Sequence, residues 1–84
     1  MKSANFGQVQ WKCRRGMLEL DLLLSAFCNE RYLHLTADQQ QVFVCLLEEK
    51  DPVLALWLLG HDAPEDANLQ EMVQLIIEHY RNRK

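Results

Sequence analysis

Glycine and proline are scarce in this sequence, with only three glycines and two prolines among 84 residues. Leucine, glutamate and glutamine are frequent instead, and these residues favour helices over strands. Hydrophobic residues make up 49% of the chain, a share typical of globular proteins that argues against intrinsic disorder. The composition therefore predicts an all-α fold. The length suits one small domain, residues 1–84, near the lower size limit for an unaided hydrophobic core.

Cysteine is too sparse for a disulfide framework. Cys13, Cys28 and Cys45 are an odd number and contain no C-x-x-C pair, so we expect buried, reduced thiols. None of the three histidines stands at metal-ligand spacing from another histidine or from a cysteine. The sequence therefore predicts no metal site.

The chain also lacks the motifs of nucleotide binding, catalysis and membrane insertion. It contains no G-x-G-x-x-G and no P-loop, and no serine or cysteine has an evident activating partner. Apolar runs such as residues 42–47 are far too short to span a bilayer. No signal peptide or Arg/Ser-rich presequence is recognisable. We expect a cytosolic protein that contacts no membrane.

Positive charge is concentrated at the two ends of the chain. Residues 1–16 carry four cations and no acid, residues 17–80 carry all twelve acids and two cations, and residues 81–84 carry three cations. The segments therefore have net charges of +4, −10 and +3. A largely acidic body argues against nucleic acid, because phosphates select for basic surfaces.

Hydrophobic periodicity and capping signals predict five short helices. Thr36 and Gln39 form a capping box, Asp51 is an N-cap before a proline, and Gly60 ends the next segment. The predicted helices are residues 5–15, a second helix from residue 17 that weakens near residues 28–30, and residues 37–49, 52–59 and 66–81. Residues 30–35 are expected to continue the second helix as a broken turn. We expect their apolar stripes to form one core, with the fourth helix, apolar nearly all round, buried between the others. The predicted stripe residues are Phe6, Val9, Cys13, Met17, Leu20, Leu23, Leu24, Phe27, Val42, Phe43, Leu46, Leu47, Leu69, Met72, Val73, Ile76 and Tyr80.

The segment from residue 14 to residue 21 concentrates charge around a glycine. Arg15, Gly16 and Glu19 form an R-G-x-x-E pattern. As a simple helix junction, Arg15 would end the first helix, Gly16 would lie just beyond it, and Glu19 would begin the second. An exposed Arg–Glu pair at this spacing is worth about 0.2–0.5 kcal/mol, so losing either residue would barely affect stability. If Gly16 adopts a positive φ, a larger residue would cost about 1–2 kcal/mol.

Together with its flanks, this pattern resembles the signature of the SdhE-type FAD assembly factors, whose hallmark is an RGxxE motif. Residues 11–21 (WKCRRGMLELD) resemble the first block of that family. Residues 46–58 are similar to its second block and residues 72–76 to its third. Because all three blocks occur in order, the resemblance covers nearly the whole chain.

The resemblance implies a helical, five-helix assembly chaperone that is not itself an enzyme. Members of the family assist covalent attachment of FAD to the flavoprotein subunit of succinate dehydrogenase, and fumarate reductase is a second candidate client. The chain would then bind no cofactor stably, FAD being carried by the partner, and would be monomeric when free. The implied partner-binding residues are Trp11, Arg14, Arg15, Gly16, Met17, Glu19 and Asp21.

Two other functions remain open from the residues alone. One is a generic helical adaptor, in which the glycine corner is only structural. The other is an FAD delivery protein that holds the pyrophosphate at the start of the second helix, beside Arg14 and Arg15. A toxin–antitoxin role, sometimes attached to bacterial members of the family, has no supporting feature. With 15 residues before Gly16, we expect a bacterial cytoplasmic protein rather than a mitochondrial one.

Overall fold

A computed structural model describes residues 6–82, and this part of the chain contains five α-helices and no strand. The helices are α1 (Phe6–Lys12), α2 (Leu18–Arg31), α3 (Ala37–Leu47), α4 (Asp51–Leu58) and α5 (Ala67–Arg81), with a 3₁₀ turn, Tyr32–His34, after α2. The all-α bundle predicted from the sequence is confirmed. The predicted start of the first helix at residue 5 lies outside the described residues.

The core is built around α2, which packs against α1, α4 and α5, while α3 packs against α5. Burying a leucine or phenylalanine side chain contributes about 1.5–3 kcal/mol, so this core supplies most of the stabilisation. The aromatic rings of Phe27 and Phe43 pack with their centroids 5.5 Å apart, which joins α2 to α3. The buried apolar residues are Val9, Cys13, Leu20, Leu23, Leu24, Phe27, Cys28, Tyr32, Phe43, Leu46, Leu47, Leu54, Leu58, Met72, Val73 and Ile76.

Local capping signals act as predicted at two helix ends, those marked by Thr36 and Gly60, and a third cap, Asp66, was not predicted. Thr36 and Gln39 form the reciprocal capping box of α3. Asp66 accepts a hydrogen bond from the Leu69 amide at the start of α5. At the end of α4, Gly60 has a φ of 85°, and the His61 amide donates to the Leu56 carbonyl at 2.9 Å. This is a Schellman ending, which satisfies carbonyls that the helix leaves free.

The prediction that α4 is buried between the other helices is wrong. Leu54 and Leu58 are buried, but Leu56 and Leu59 are 46% and 43% exposed. An eight-residue helix that packs against α2 and α5 has one side left for solvent. The helix also begins at Asp51 rather than after it, with Lys50 as the N-cap.

Two predicted stripe residues are also exposed. Met17 precedes α2 as its N-cap and is 36% exposed, because its extended backbone turns it off the helical face. Tyr80 lies in the last turn of α5 and is 42% exposed. In addition, α2 continues to Arg31, just beyond the predicted weakening near residues 28–30, and the broken turn predicted for residues 30–35 is confirmed as the 3₁₀ turn Tyr32–His34.

The cysteine prediction holds for two of the three thiols. Cys13 and Cys28 are buried and free, whereas Cys45 is free but exposed on α3. A hydrogen bond to Cys28, together with burial, raises the pKa of the Cys13 thiol well above its usual range. Cys13 is therefore a thiol at neutral pH, because burial in an apolar core disfavours the thiolate.

The position of His79, one turn from the end of the last helix, is typical of a surface group that complements the helix dipole. It does lie in the last turn of α5, but its side chain is only 15% exposed. Its Nε2 lies 2.8 Å from Glu30 Oε1, and its ring packs edge-on against Phe27 at 5.6 Å. His79 therefore links α5 to α2 rather than standing alone at the surface.

Candidate functional site

The candidate site is the linker between α1 and α2, which carries the R-G-x-x-E pattern. α1 ends at Lys12, earlier than predicted, and its last turn tightens through hydrogen bonds from the Cys13 amide to Gln10 (3.2 Å) and from the Arg14 amide to Trp11 (3.1 Å). Arg14 and Arg15 therefore lie in the linker and not in the last turn of the helix. The simple junction predicted for this segment is therefore wrong in its details.

The Arg15 side chain turns inward and binds the corner between α3 and α4. Its guanidinium donates to the Leu47 carbonyl, to the Glu49 carbonyl at 3.4 Å and to Asp51 Oδ1 at 3.3 Å. The side chain is only 14% exposed. A helix C-terminus leaves carbonyls without intrahelical donors, and the planar fork of an arginine can satisfy several at once. Arg15 therefore clamps the linker to the α3–α4 corner.

This clamp overturns the expectation of an exposed Arg–Glu pair. Arg15 does not form an exposed pair with Glu19, because its donors are occupied on the other side of the linker. Glu49 and Asp51, which accept these hydrogen bonds, are partly buried, whereas the neighbouring Glu48 and Lys50 are exposed. A second ion pair joins the same regions, from Lys12 Nζ to Glu48 Oε2 at 3.0 Å. Because both of its partners are well exposed, that pair adds little.

Gly16 does not need the conformational freedom of glycine. Within residues 6–82 the only positive φ belongs to Gly60. A Cβ built on Gly16 would have one neighbour within 4 Å, Asp51 Oδ2 at 4.0 Å, which is an ordinary contact. The condition for backbone strain at Gly16, a positive φ, is therefore not met, because the helix ended before this residue. What distinguishes this position is an exposed, unobstructed backbone.

We expect Gly16→Ala to leave the free energy of unfolding unchanged within about 0.5 kcal/mol, since the added methyl makes only an ordinary contact with Asp51. The matched control is Gly60→Ala, whose positive φ predicts a loss of about 1–2 kcal/mol. Urea denaturation of both variants measures the two changes. Equal destabilisation by the two substitutions would contradict this account of Gly16.

The remaining residues of the pattern face solvent. Trp11 is 73% exposed, and the Arg14 guanidinium lies 5.8 Å from its ring centroid in a cation–π arrangement. The Glu19 carboxylate is exposed in the first turn of α2 and makes no hydrogen bond or ion pair with residues 6–82. Asp21 is half-buried and accepts a hydrogen bond from Ser25 Oγ at 3.0 Å. The corner therefore presents an aromatic ring, a cation and an unpaired carboxylate.

A groove beside this corner was not predicted from the sequence. It has a volume of about 380 Å³ and lies between α2, α4 and α5. Its lining consists of Glu19, Leu22, Leu23, Leu58, Leu59, Ile77, Tyr80 and Arg81. The sequence feature that could have indicated this groove is that α4 is apolar nearly all round, which we interpreted as burial on every side.

No arrangement of three or more His, Cys, Asp or Glu residues within 6–82 could hold a metal ion. None of the helices in that range combines the length and apolar character that crossing a bilayer requires.

Comparison with known proteins gives concordant matches. The family described as "Flavinator of succinate dehydrogenase" matches residues 7–80. The FAD assembly factor SdhE of Coxiella burnetii is 45% identical over 69 residues, 82% of this chain and 84% of that protein. The SdhE of Aliivibrio fischeri is 46% identical over 72 residues, 86% of this chain and 84% of that protein. The solution structure of a UPF0350 protein superimposes with a TM-score of 0.76 at 41% identity, covering 96% of this chain and 87% of the other.

Proposed function

This chain belongs to the family of succinate dehydrogenase flavinators, the FAD assembly factors, and from that premise we propose that it binds the flavoprotein subunit of succinate dehydrogenase and promotes its covalent flavinylation. The observation that carries the proposal is the exposed corner of residues 11–19, where the Glu19 carboxylate has no partner among the described residues. A charged group held without a partner at a rigid helix start is free to pair across an interface.

The members of the motif divide into two roles in this proposal. Trp11, Arg14, Met17 and Glu19 contact the flavoprotein, because their side chains are exposed on the corner. Arg15 is a positioning residue, because its guanidinium is engaged by the α3–α4 corner.

Gly16 and Asp21 complete the proposed interface. Gly16 allows the partner's backbone to approach closely, since no side chain projects there. Asp21 lies at its edge, where its hydrogen bond with Ser25 fixes the carboxylate.

The proposed mechanism is a shift in the conformational population of the partner. The bound chain favours the flavoprotein conformation in which the flavin and the attacking histidine are aligned, and the covalent bond forms within the flavoprotein. The chain then acts as a chaperone and not as an enzyme, and FAD is carried by the partner. We also propose that it is monomeric when free, works in the bacterial cytoplasm, and serves fumarate reductase as a second client.

FAD delivery by the chain itself is disfavoured by the electrostatics of α2. Glu19 and Asp21 lie in the first turn of α2 and would repel a pyrophosphate. Arg15, which would have to bind it, is occupied within the chain. Titrating the pure protein with FAD should therefore leave flavin fluorescence unchanged. Saturable quenching would favour the delivery role instead.

The test of the proposed function is a flavinylation rescue. The flavoprotein subunit is co-expressed with this chain or with an empty vector in cells that lack their own assembly factor. Covalent flavin is read as fluorescence of the flavoprotein band on a denaturing gel. We expect strong fluorescence only when this chain is present. Equal fluorescence with the empty vector, for both candidate flavoproteins, would contradict the proposal and favour a generic adaptor.

A further inference from the structure

The groove between α2, α4 and α5 exposes apolar side chains that the core does not need. Leu22, Leu59 and Tyr80 line it and are 49%, 43% and 42% exposed. Two further leucines, which do not line the groove, are also exposed: Leu18 on α2 (68%) and Leu56 on α4 (46%). Scattered exposed leucines are ordinary, but a groove whose apolar walls come from three helices marks an interaction surface.

The chemistry of the groove suits a protein segment better than a small molecule. Small-molecule sites place a few convergent polar groups inside an apolar cavity. Here the charged lining groups are Glu19 and Arg81, and both residues are exposed. The buried side-chain atoms without hydrogen-bond partners in the described chain are Arg15 Nε and the Tyr32 hydroxyl, and neither residue lines the groove. Among the described residues, the groove therefore contains no buried polar side-chain atom that lacks a hydrogen-bond partner.

The charges on the groove are complementary to a specific kind of segment. The Arg81 guanidinium, like the Glu19 carboxylate, is exposed and makes no hydrogen bond or ion pair with residues 6–82. One carboxylate and one guanidinium without a partner in that range therefore accompany the apolar walls. An amphipathic helix that lays its apolar face in a groove can pair its flanking charges with such groups.

The groove is continuous with the proposed flavoprotein interface, because Glu19 belongs to both. We propose that the groove docks an amphipathic helical segment of the flavoprotein subunit. A leucine-sized or aromatic side chain of that segment lies between Leu22 and Leu59, with a basic group at Glu19 and an acidic group at Arg81. This inference rests on the proposed function, and it adds a second, apolar contact to the proposed flavoprotein interface.

The test measures binding of the purified flavoprotein subunit to variants of the full chain by isothermal titration calorimetry. Leu59→Lys and the milder Leu59→Ser are expected to weaken binding by roughly tenfold or more, as for an apolar anchor in an interface. The matched control is Leu33→Lys, since Leu33 is 66% exposed and lies on the 3₁₀ turn, outside the groove lining. We expect it to bind within about threefold of the wild type. Circular dichroism verifies that each variant is folded.

The outcomes separate this inference from the function on which it rests. Wild-type binding that both Leu59 variants retain would overturn the groove proposal and leave the flavoprotein interaction standing. Absence of wild-type binding would overturn both. Sedimentation of the free chain tests a second copy as the occupant. A dimer that Leu59→Lys dissociates would assign the groove to self-association and overturn the proposal.

Discussion

Arg15→Ala is expected to lower the free energy of unfolding by about 1.5–3 kcal/mol, the range for losing hydrogen bonds to a charged group. The side chain is 14% exposed and binds two backbone carbonyls and Asp51. Its loss leaves the end of α3 and the start of α4 without the group that joins them to the linker. For a domain of this size each kcal/mol shifts the melting temperature by about 4–8 °C, which a thermal melt resolves easily.

Arg14→Ala is the control, because it removes the same charge from the neighbouring residue. Arg14 is exposed and contacts the Trp11 ring, so its loss should cost less than about 0.5 kcal/mol. Arg15→Lys should recover only part of the stability, because an ammonium cannot reproduce the planar fork. If Arg15→Ala and Arg14→Ala melt at the same temperature, the clamp contributes nothing and Arg15 is free to contact the partner directly.

Glu19→Gln is expected to reduce covalent flavinylation in the rescue assay by at least about tenfold, the range for truncating an interface hot spot. The physical reason is that the Glu19 carboxylate has no partner within residues 6–82 and is free to form a charged hydrogen bond with the flavoprotein. The substitution keeps the shape of the side chain and removes only its charge. Stability should change by no more than the dipole contribution of one helix-start carboxylate, about 0.3–1 kcal/mol.

Glu71→Gln is the matched control for this second prediction. Glu71 is an exposed glutamate on α5 that lines neither the corner nor the groove. We expect it to rescue flavinylation as well as the wild type does. A folded Glu19→Gln protein with full activity would move the interface away from the motif. The proposed role in flavinylation would still be supported by the rescue with the wild-type chain.

These two experiments separate residues that the sequence pattern presents as equivalent. In R-G-x-x-E, Arg15 and Glu19 look like two halves of one charged contact. In the fold, Arg15 faces the α3–α4 corner and Glu19 faces solvent. A functional defect of Arg15→Ala would therefore mix stability with recognition, whereas a defect of Glu19→Gln or Gly16→Ala would report recognition.

Features that depend on near neighbours in the chain were predictable. The five helices follow from 3.6-residue periodicity, and the Thr36 capping box, the Asp66 cap and the Gly60 ending each use residues within a few positions of the helix end. The buried faces of α2 and α3 follow from the same periodicity. Family membership was also evident, because it depends on the order of motif residues and not on their positions in space.

Features that depend on residues distant in the chain were not predictable. Arg15 and Asp51 are 36 positions apart, so the pattern around Arg15 could not show that its donors were already taken. Likewise α4 reads as fully buried, because its residues are apolar all round, and only the packing of α2 and α5 decides which side stays exposed. The sequence alone determined the existence of the five helices, the caps marked by Thr36 and Gly60, and the family. Tertiary structure decided which motif residues stabilise the fold and which remain free to bind a partner. A guanidinium or a helix face that already contacts another part of the chain is not available to a partner, and those contacts involve residues distant in the sequence.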